Sequence, residues 1–204
     1  MTEQAATVFV VDDNVSVRNS IFELLTSVSL PVETFATSEE FLAAYRPERP
    51  GCLLLDVRLK DGNGLDLQDE LQRRRATLPV IVLTGHGNVP MSVRALKAGA
   101  FDFLQKPPPP AVLVERVQAA IGSDRAARAL LSEKQVALNR LSSLTPRERD
   151  VMSLLVAGET SKDVASTLGL SVRTVEGHRR RVLSKLDVTS AAQLVRVVMT
   201  ARAA

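Results

Sequence analysis

The residues of this chain best placed to do chemistry together are Asp12, Asp13, Asp56, Thr84 and Lys106. Each stands close behind a short apolar run. Asp12 and Asp13 follow Thr7–Val11, Asp56 follows Cys52–Leu55, Thr84 follows Val80–Leu83, and Lys106 follows Phe101–Leu104. In an open parallel sheet, ligands bind outside the carboxyl ends of the strands, so these side chains should converge. Three converging carboxylates raise one another's pKa unless a cation lies among them, and a hard divalent ion with oxygen ligands, magnesium above all, suits them. A carboxylate beside that ion, with a hydroxyl and an ammonium to hold phosphoryl oxygens, is what in-line phosphoryl transfer to an aspartate needs. Singly, each residue has a plainer reading: Asp12-Asp13 as a turn and helix cap, Thr84 as a cap, Lys106 as a solvated lysine. Their joint placement at strand ends carries the argument.

Positioning them requires five strands, the four runs above and Val32–Phe35. Amphipathic stretches lie between the runs. The first has apolar Val17, Ile21, Leu24, Leu25 and Val28, the spacing of one helix face. Continuous runs such as Leu53-Leu54-Leu55 suit strands covered on both faces by crossover helices, so residues 1–122 should form a doubly wound α/β domain with a five-stranded parallel sheet.

The 204 residues carry a net charge of +3, unevenly spread: −3 over residues 1–122, +2 over 123–143 and +4 over 144–204. A basic back half suits a polyanionic partner. One cysteine, Cys52, excludes an internal disulfide, and with two histidines a zinc or iron–sulfur site is not expected. No apolar run approaches a membrane span of about 20 residues, and the N-terminus lacks an export signal, which leaves the cytoplasm as the expected location.

Residues 123–143 read as a helical linker, ended by Ser142-Ser143. From residue 144 to 204 the pattern is all-helical, with four start signals: a capping box at Thr145-Pro146-Arg147-Glu148, another at Thr160-Ser161-Lys162-Asp163, and caps at Ser171 and Ser190. Leu168-Gly169-Leu170-Ser171 reads as the tight turn of a helix-turn-helix. Residues 172–186, set on a helix at about 100° per residue, separate into two faces. Val175, His178, Arg179, Val182 and Leu186 should mostly pack inward. Arg173, Glu176, Gly177, Arg180 and Ser184 should face a groove, flanked by Arg181 and Lys185 where phosphates would lie.

Val10-Val11-Asp12-Asp13, Leu55-Asp56-Val57-Arg58, Leu83-Thr84-Gly85-His86-Gly87 and Phe103-Leu104-Gln105-Lys106-Pro107 resemble the signatures of two-component receiver domains, whose fold is flavodoxin-like. The stretch from Thr84 to Met91, followed by Ala95–Ala100, resembles the FixJ group. This resemblance implies that Asp56 takes phosphate from a sensor histidine kinase. It also implies that Asp13, Asp56 and the Arg58 carbonyl hold Mg2+ with help from Asp12, that Thr84 and Lys106 contact the phosphoryl group, and that Phe103 moves inward with Thr84. The bond before Pro107 is then cis. Lys60, Asn88 and Pro108 depart from the usual pattern, and Pro108 lies within a four-proline run that stiffens the approach to the next helix.

The segment from Leu144 to Leu186 resembles the LuxR/NarL-type DNA-binding domain. That places Glu176, Gly177 and Arg180 near bases, and Thr174, Arg181 and Lys185 near the backbone of promoter DNA. RNA polymerase is a further implied partner, and phosphorylation is expected to promote a homodimer through residues near Met91–Ala98 and Phe101–Leu104. A phosphatase of the haloacid dehalogenase type also uses a nucleophilic aspartate, but Asp56-Val57-Arg58 lacks the second carboxylate two residues on. A module that is not phosphorylated and binds protein through its helical half is the other alternative.

Overall fold

The computed structural model describes residues 5–74, 76–85, 96 and 98–202. They form two compact units, Met1–Arg128 and Ala129–Ala204. The expected helix near Met91–Ala98, apart from Leu96 and Ala98, lies outside the described residues, as do His86 and Asn88.

In the first unit, β1 (Thr7–Val11), β2 (Val32–Phe35), β3 (Gly51–Asp56), β6 (Val80–Thr84) and β7 (Asp102–Gln105) form one sheet in the order β2-β1-β3-β6-β7, every pair parallel. Three helices, α1 (Val15–Ser27), α2 (Ser38–Ala44) and α3 (Gly64–Arg73), connect the early strands. The doubly wound expectation is met. Side chains alternate across each strand, so the runs feed two cores. Phe9, Val11, Leu53, Leu55 and Val82 pack with Phe41, Leu65 and Leu71 on one face. Val8, Val10, Leu54, Ile81 and Leu83 pack with Ile21, Leu25, Leu113 and Val117 on the other. The register pairs Val11 with Leu55, Asp56 with Leu83, and Thr84 with Gln105, which brings the strand-end residues to one edge. Asp56 and Thr84 prove to be the last residues of their strands, and β7 begins one residue later than its apolar run. After β3, β4 (Arg58–Leu59) and β5 (Gly62–Asn63) form a small antiparallel hairpin.

Helix α4 spans Pro110–Ser142 and includes the segment expected as a linker. Pro110 sits at its first position, where a missing N–H costs nothing. Within the first unit, Asp124 is buried and accepts from Gly51 N–H at 2.9 Å and from Arg128 Nε at 2.7 Å, while Arg128 donates to the carbonyls of Pro47 and Arg49.

The second unit adds α5 (Pro146–Val156), α6 (Ser161–Leu168), α7 (Val172–Leu186) and α8 (Ala191–Arg202). Both capping boxes form, Ser171 caps α7, and Ser190 Oγ accepts from Gln193 N–H. Gly169 ends α6 at φ 64°, a left-handed conformation in which a Cβ is strained. Val151, Val164, Ala165 and Val175 form one core; Leu144, Met152, Val182, Leu186, Leu194 and Val198 form another. Among the described residues, no helix is long and apolar enough to cross a membrane.

Candidate functional site

The strand-end residues meet as their spacing implies. Lys106 Nζ bonds Asp12 Oδ2 and lies 2.7 Å from Asp56 Oδ2, so one ammonium bridges two carboxylates. Asp12 and Asp56 are 1% and 8% exposed, a degree of burial that charged groups tolerate only when paired. Asp13, less buried, offers an oxygen within 4.8 Å of oxygens on both, a spacing that one cation can span. Burial pushes the Asp56 carboxyl above the usual carboxylate range, Lys106 pulls it down, and the charge on Asp12 adds to the rise. Thr84 is buried at the end of β6, and Lys106 is placed by its N–H bond to the Thr84 carbonyl. Phe103 is partly buried against the core that holds Val82. The Lys106–Pro107 bond is cis.

On α7, Val175, Val182 and Leu186 are buried, and Arg173, Thr174, Arg180, Arg181 and Ser184 are exposed. The helical sorting therefore holds for the apolar face. Three side chains expected at DNA have partners inside the unit. Lys185 Nζ lies 2.7 Å from Glu148 Oε2 and donates to the Ser143 carbonyl at 3.1 Å. That ion pair, with bonds from Thr145, holds the buried Glu148 carboxyl at about 2. Glu176 Oε1 accepts from the Ser161 hydroxyl and lies 3.6 Å from Arg179. Arg181 bends back over Gly177, its Nε donating to the Gly177 carbonyl at 3.3 Å.

A parallel sheet with an acidic strand-end pocket and a capped helix-turn-helix has clear relatives. Residues 8–118 match the response regulator receiver domain, and residues 142–198 match the luxR family of bacterial regulatory proteins. The chain belongs to the response regulators. It is 44% identical over 198 residues to the transcriptional regulatory protein TdiR of Thauera aromatica, covering 97% of this chain and 87% of TdiR. It is 40% identical over 193 residues to the transcriptional regulatory protein FixJ of Rhizobium meliloti, covering 95% of each. The structure of the response regulator StyR superposes with a TM-score of 0.89 at 39% identity, covering 96% of this chain and 98% of that one. This response regulator thus joins a receiver domain to a luxR-type DNA-binding domain, and its named relatives regulate transcription.

Some residues that shape the receiver pocket were not singled out from sequence. Asn14 caps α1, and its N–H donates to Asp12 Oδ1 at 2.9 Å, while Arg18 donates to the Asp12 carbonyl at 2.6 Å. Both lie within a turn or two of the acidic pair, so a search for caps and nearby cations would have found them. Gly64 passes so close to β3 that a Cβ there would come 2.0 Å from the Asp56 carbonyl oxygen. A glycine two positions after Gly62 was the available signal, and close backbone approach was the unread meaning.

Proposed function

We propose that Asp56 accepts a phosphoryl group from a sensor histidine kinase and that this event governs promoter binding by the luxR-type domain. The supporting observation is the Lys106 ammonium on Asp12 and Asp56, with Asp13 in the same oxygen cluster. In the transfer, an Asp56 carboxylate oxygen bonds to phosphorus as the bond from phosphorus to the kinase's histidine nitrogen breaks. Lys106 and the Thr84 hydroxyl hold the phosphoryl oxygens, and Phe103 follows Thr84. Asp12, Asp13, Asp56 and the Arg58 carbonyl fit Mg2+, because oxygens of the three carboxylates cluster within 4.8 Å. Bound there, the ion supplies positive charge for the phosphoryl oxygens. The acyl phosphate is later lost to water, an intrinsic turnover rather than an enzymatic activity on another substrate.

The receiver occupies residues 1–122 and the DNA-binding domain 144–204, with 123–143 connecting them; the bonds of Asp124 and Arg128 favour extending the receiver to residue 128. Arg173, Thr174, Gly177, Arg180 and Arg181 form the DNA face, and Lys185 and Glu176 brace it. One short reading helix on a domain of net charge +4 is weak by itself at physiological salt, so a phosphorylation-promoted homodimer pairs two of them. RNA polymerase is the downstream partner, in the cytoplasm. Labelling by acetyl phosphate tests the first step. It should require Mg2+, be released by hydroxylamine and vanish in Asp56→Asn; undiminished labelling of that variant would remove Asp56 from the role.

A further inference from the structure

The exposed face of α7 has an unusual centre. Val175, Val182 and Leu186 point into the core, and at about 100° per residue the position most nearly opposite them belongs to Ser184, with Arg173 and Gly177 close to either side. Gly177 thus leaves a notch midway along the face. Arg173 and Arg181 stand one turn to either side of it, four residues away in each direction, and Arg180 stands beside Arg181, three residues on. Among the described residues, neither Arg173 nor Arg180 has a side-chain hydrogen bond or ion pair. Arg181 is anchored. Its Nε bonds the Gly177 carbonyl, and its Nη2 lies 3.6 Å from where a Cβ on Gly177 would be. A Cβ there would only touch the Arg181 guanidinium, but a side chain that branches beyond it would compete for the space along the helix, towards the middle of the face, that the guanidinium fills.

This anchoring has a chemical result. A guanidinium carries five N–H donors, and with Nε committed to a carbonyl, both Nη groups remain for one planar, two-point contact. In the major groove the matching acceptor pair is O6 and N7 of guanine. Glu176, the group on α7 that would select a cytosine amino group, is instead held by Ser161 and near Arg179. We infer that α7 reads guanine: Arg180 and Arg181 each take the O6/N7 edge of one guanine, at closely spaced positions of the half-site, with the Gly177 carbonyl anchoring Arg181. This rests on the DNA-binding reading above and assigns Arg181 to a base rather than to the phosphate expected from sequence.

The experiment uses the full chain with beryllofluoride and a random duplex pool. Selected half-sites should share two closely spaced guanines, and replacing either by 7-deazaguanine, which lacks N7, should weaken binding about tenfold. Arg181→Ala should make binding indifferent to one of these replacements, and Arg180→Ala to the other, because no donor then remains to meet N7. Gly177→Val, whose methyls occupy the space beside Arg181 Nη2, should reproduce the Arg181→Ala pattern; circular dichroism confirms that the helix persists. Selected sites without guanine, or an Arg181→Ala protein that keeps full sensitivity to both replacements, would overturn the inference while leaving DNA binding intact. Failure to bind any duplex at low salt would overturn the DNA-binding reading itself.

Discussion

The receiver pocket and the α7 face are both built from charged residues, yet they handle charge in opposite ways. In the pocket, Asp12 and Asp56 are almost fully buried, and Lys106 reaches both. Burial raises the Asp56 carboxyl more than Lys106 lowers it, and the charge on Asp12 adds to the rise. On α7, Arg173, Arg180 and Arg181 stay in water on a helix whose opposite side is firmly packed. A site that forms a bond to phosphorus gains from dehydrated, strongly coupled charges, whereas a surface that meets a polyanion gains from charges that remain free until contact. The difference predicts where a substitution harms the fold and where it harms only binding.

The largest effect should come from Lys106→Met. Without divalent cations it leaves two buried carboxylates unpaired, which costs about 3 kcal/mol of receiver stability; urea unfolding measures it, and a loss under about 1 kcal/mol would mean that the pocket charges are less coupled than their geometry implies. Glu148 is the place where the helical unit borrows the pocket's strategy. Its carboxyl, usually near 4.5, sits at about 2 in the folded protein, so its stabilisation is complete above pH 4.5 and is lost as the pH falls through 2. Acid unfolding of the helical unit should show this loss between pH 4.5 and 2, and Glu148→Gln should flatten it. Asp13→Asn should act in the reverse sense to Lys106→Met: removal of one of three like charges stabilises the cation-free receiver by about 1 kcal/mol and lessens the stabilisation that Mg2+ gives. Smallest of all, Arg180→Ala should shift unfolding by less than about 0.5 kcal/mol while it weakens promoter binding. A large stability loss there would show that α7's exposed charges are structural after all.

The same contrast decided what could be read from the sequence. A parallel sheet delivers strand ends to one edge by topology alone, so apolar runs sufficed to bring Asp12, Asp56, Thr84 and Lys106 together. Caps are equally local, and Thr145, Thr160, Ser171 and Ser190 all perform as read. Helical periodicity likewise sorted Val175, Val182 and Leu186 from the exposed arginines. It could not show that Lys185 bonds Glu148, 37 residues earlier, or that Glu176 bonds Ser161 on the preceding helix. Those pairings depend on how helices cross, and one helix's period carries no record of its neighbours. The bond between Asp124 and Gly51 N–H, 73 residues apart, was hidden for the same reason, although Asp124 and Arg128 stand four apart on one helix face.

The central claim, that chemistry at Asp56 governs the helical domain's hold on DNA, is tested most directly by one titration. Affinity of the full chain for its promoter duplex should be measured with and without beryllofluoride and Mg2+, for the native protein and for Asp56→Asn, with sedimentation on the same samples. The native protein should bind roughly a hundredfold more tightly when treated, as joining two reading helices allows, and should sediment as a dimer, while Asp56→Asn should not respond. Equal affinity for treated and untreated native protein would contradict the account.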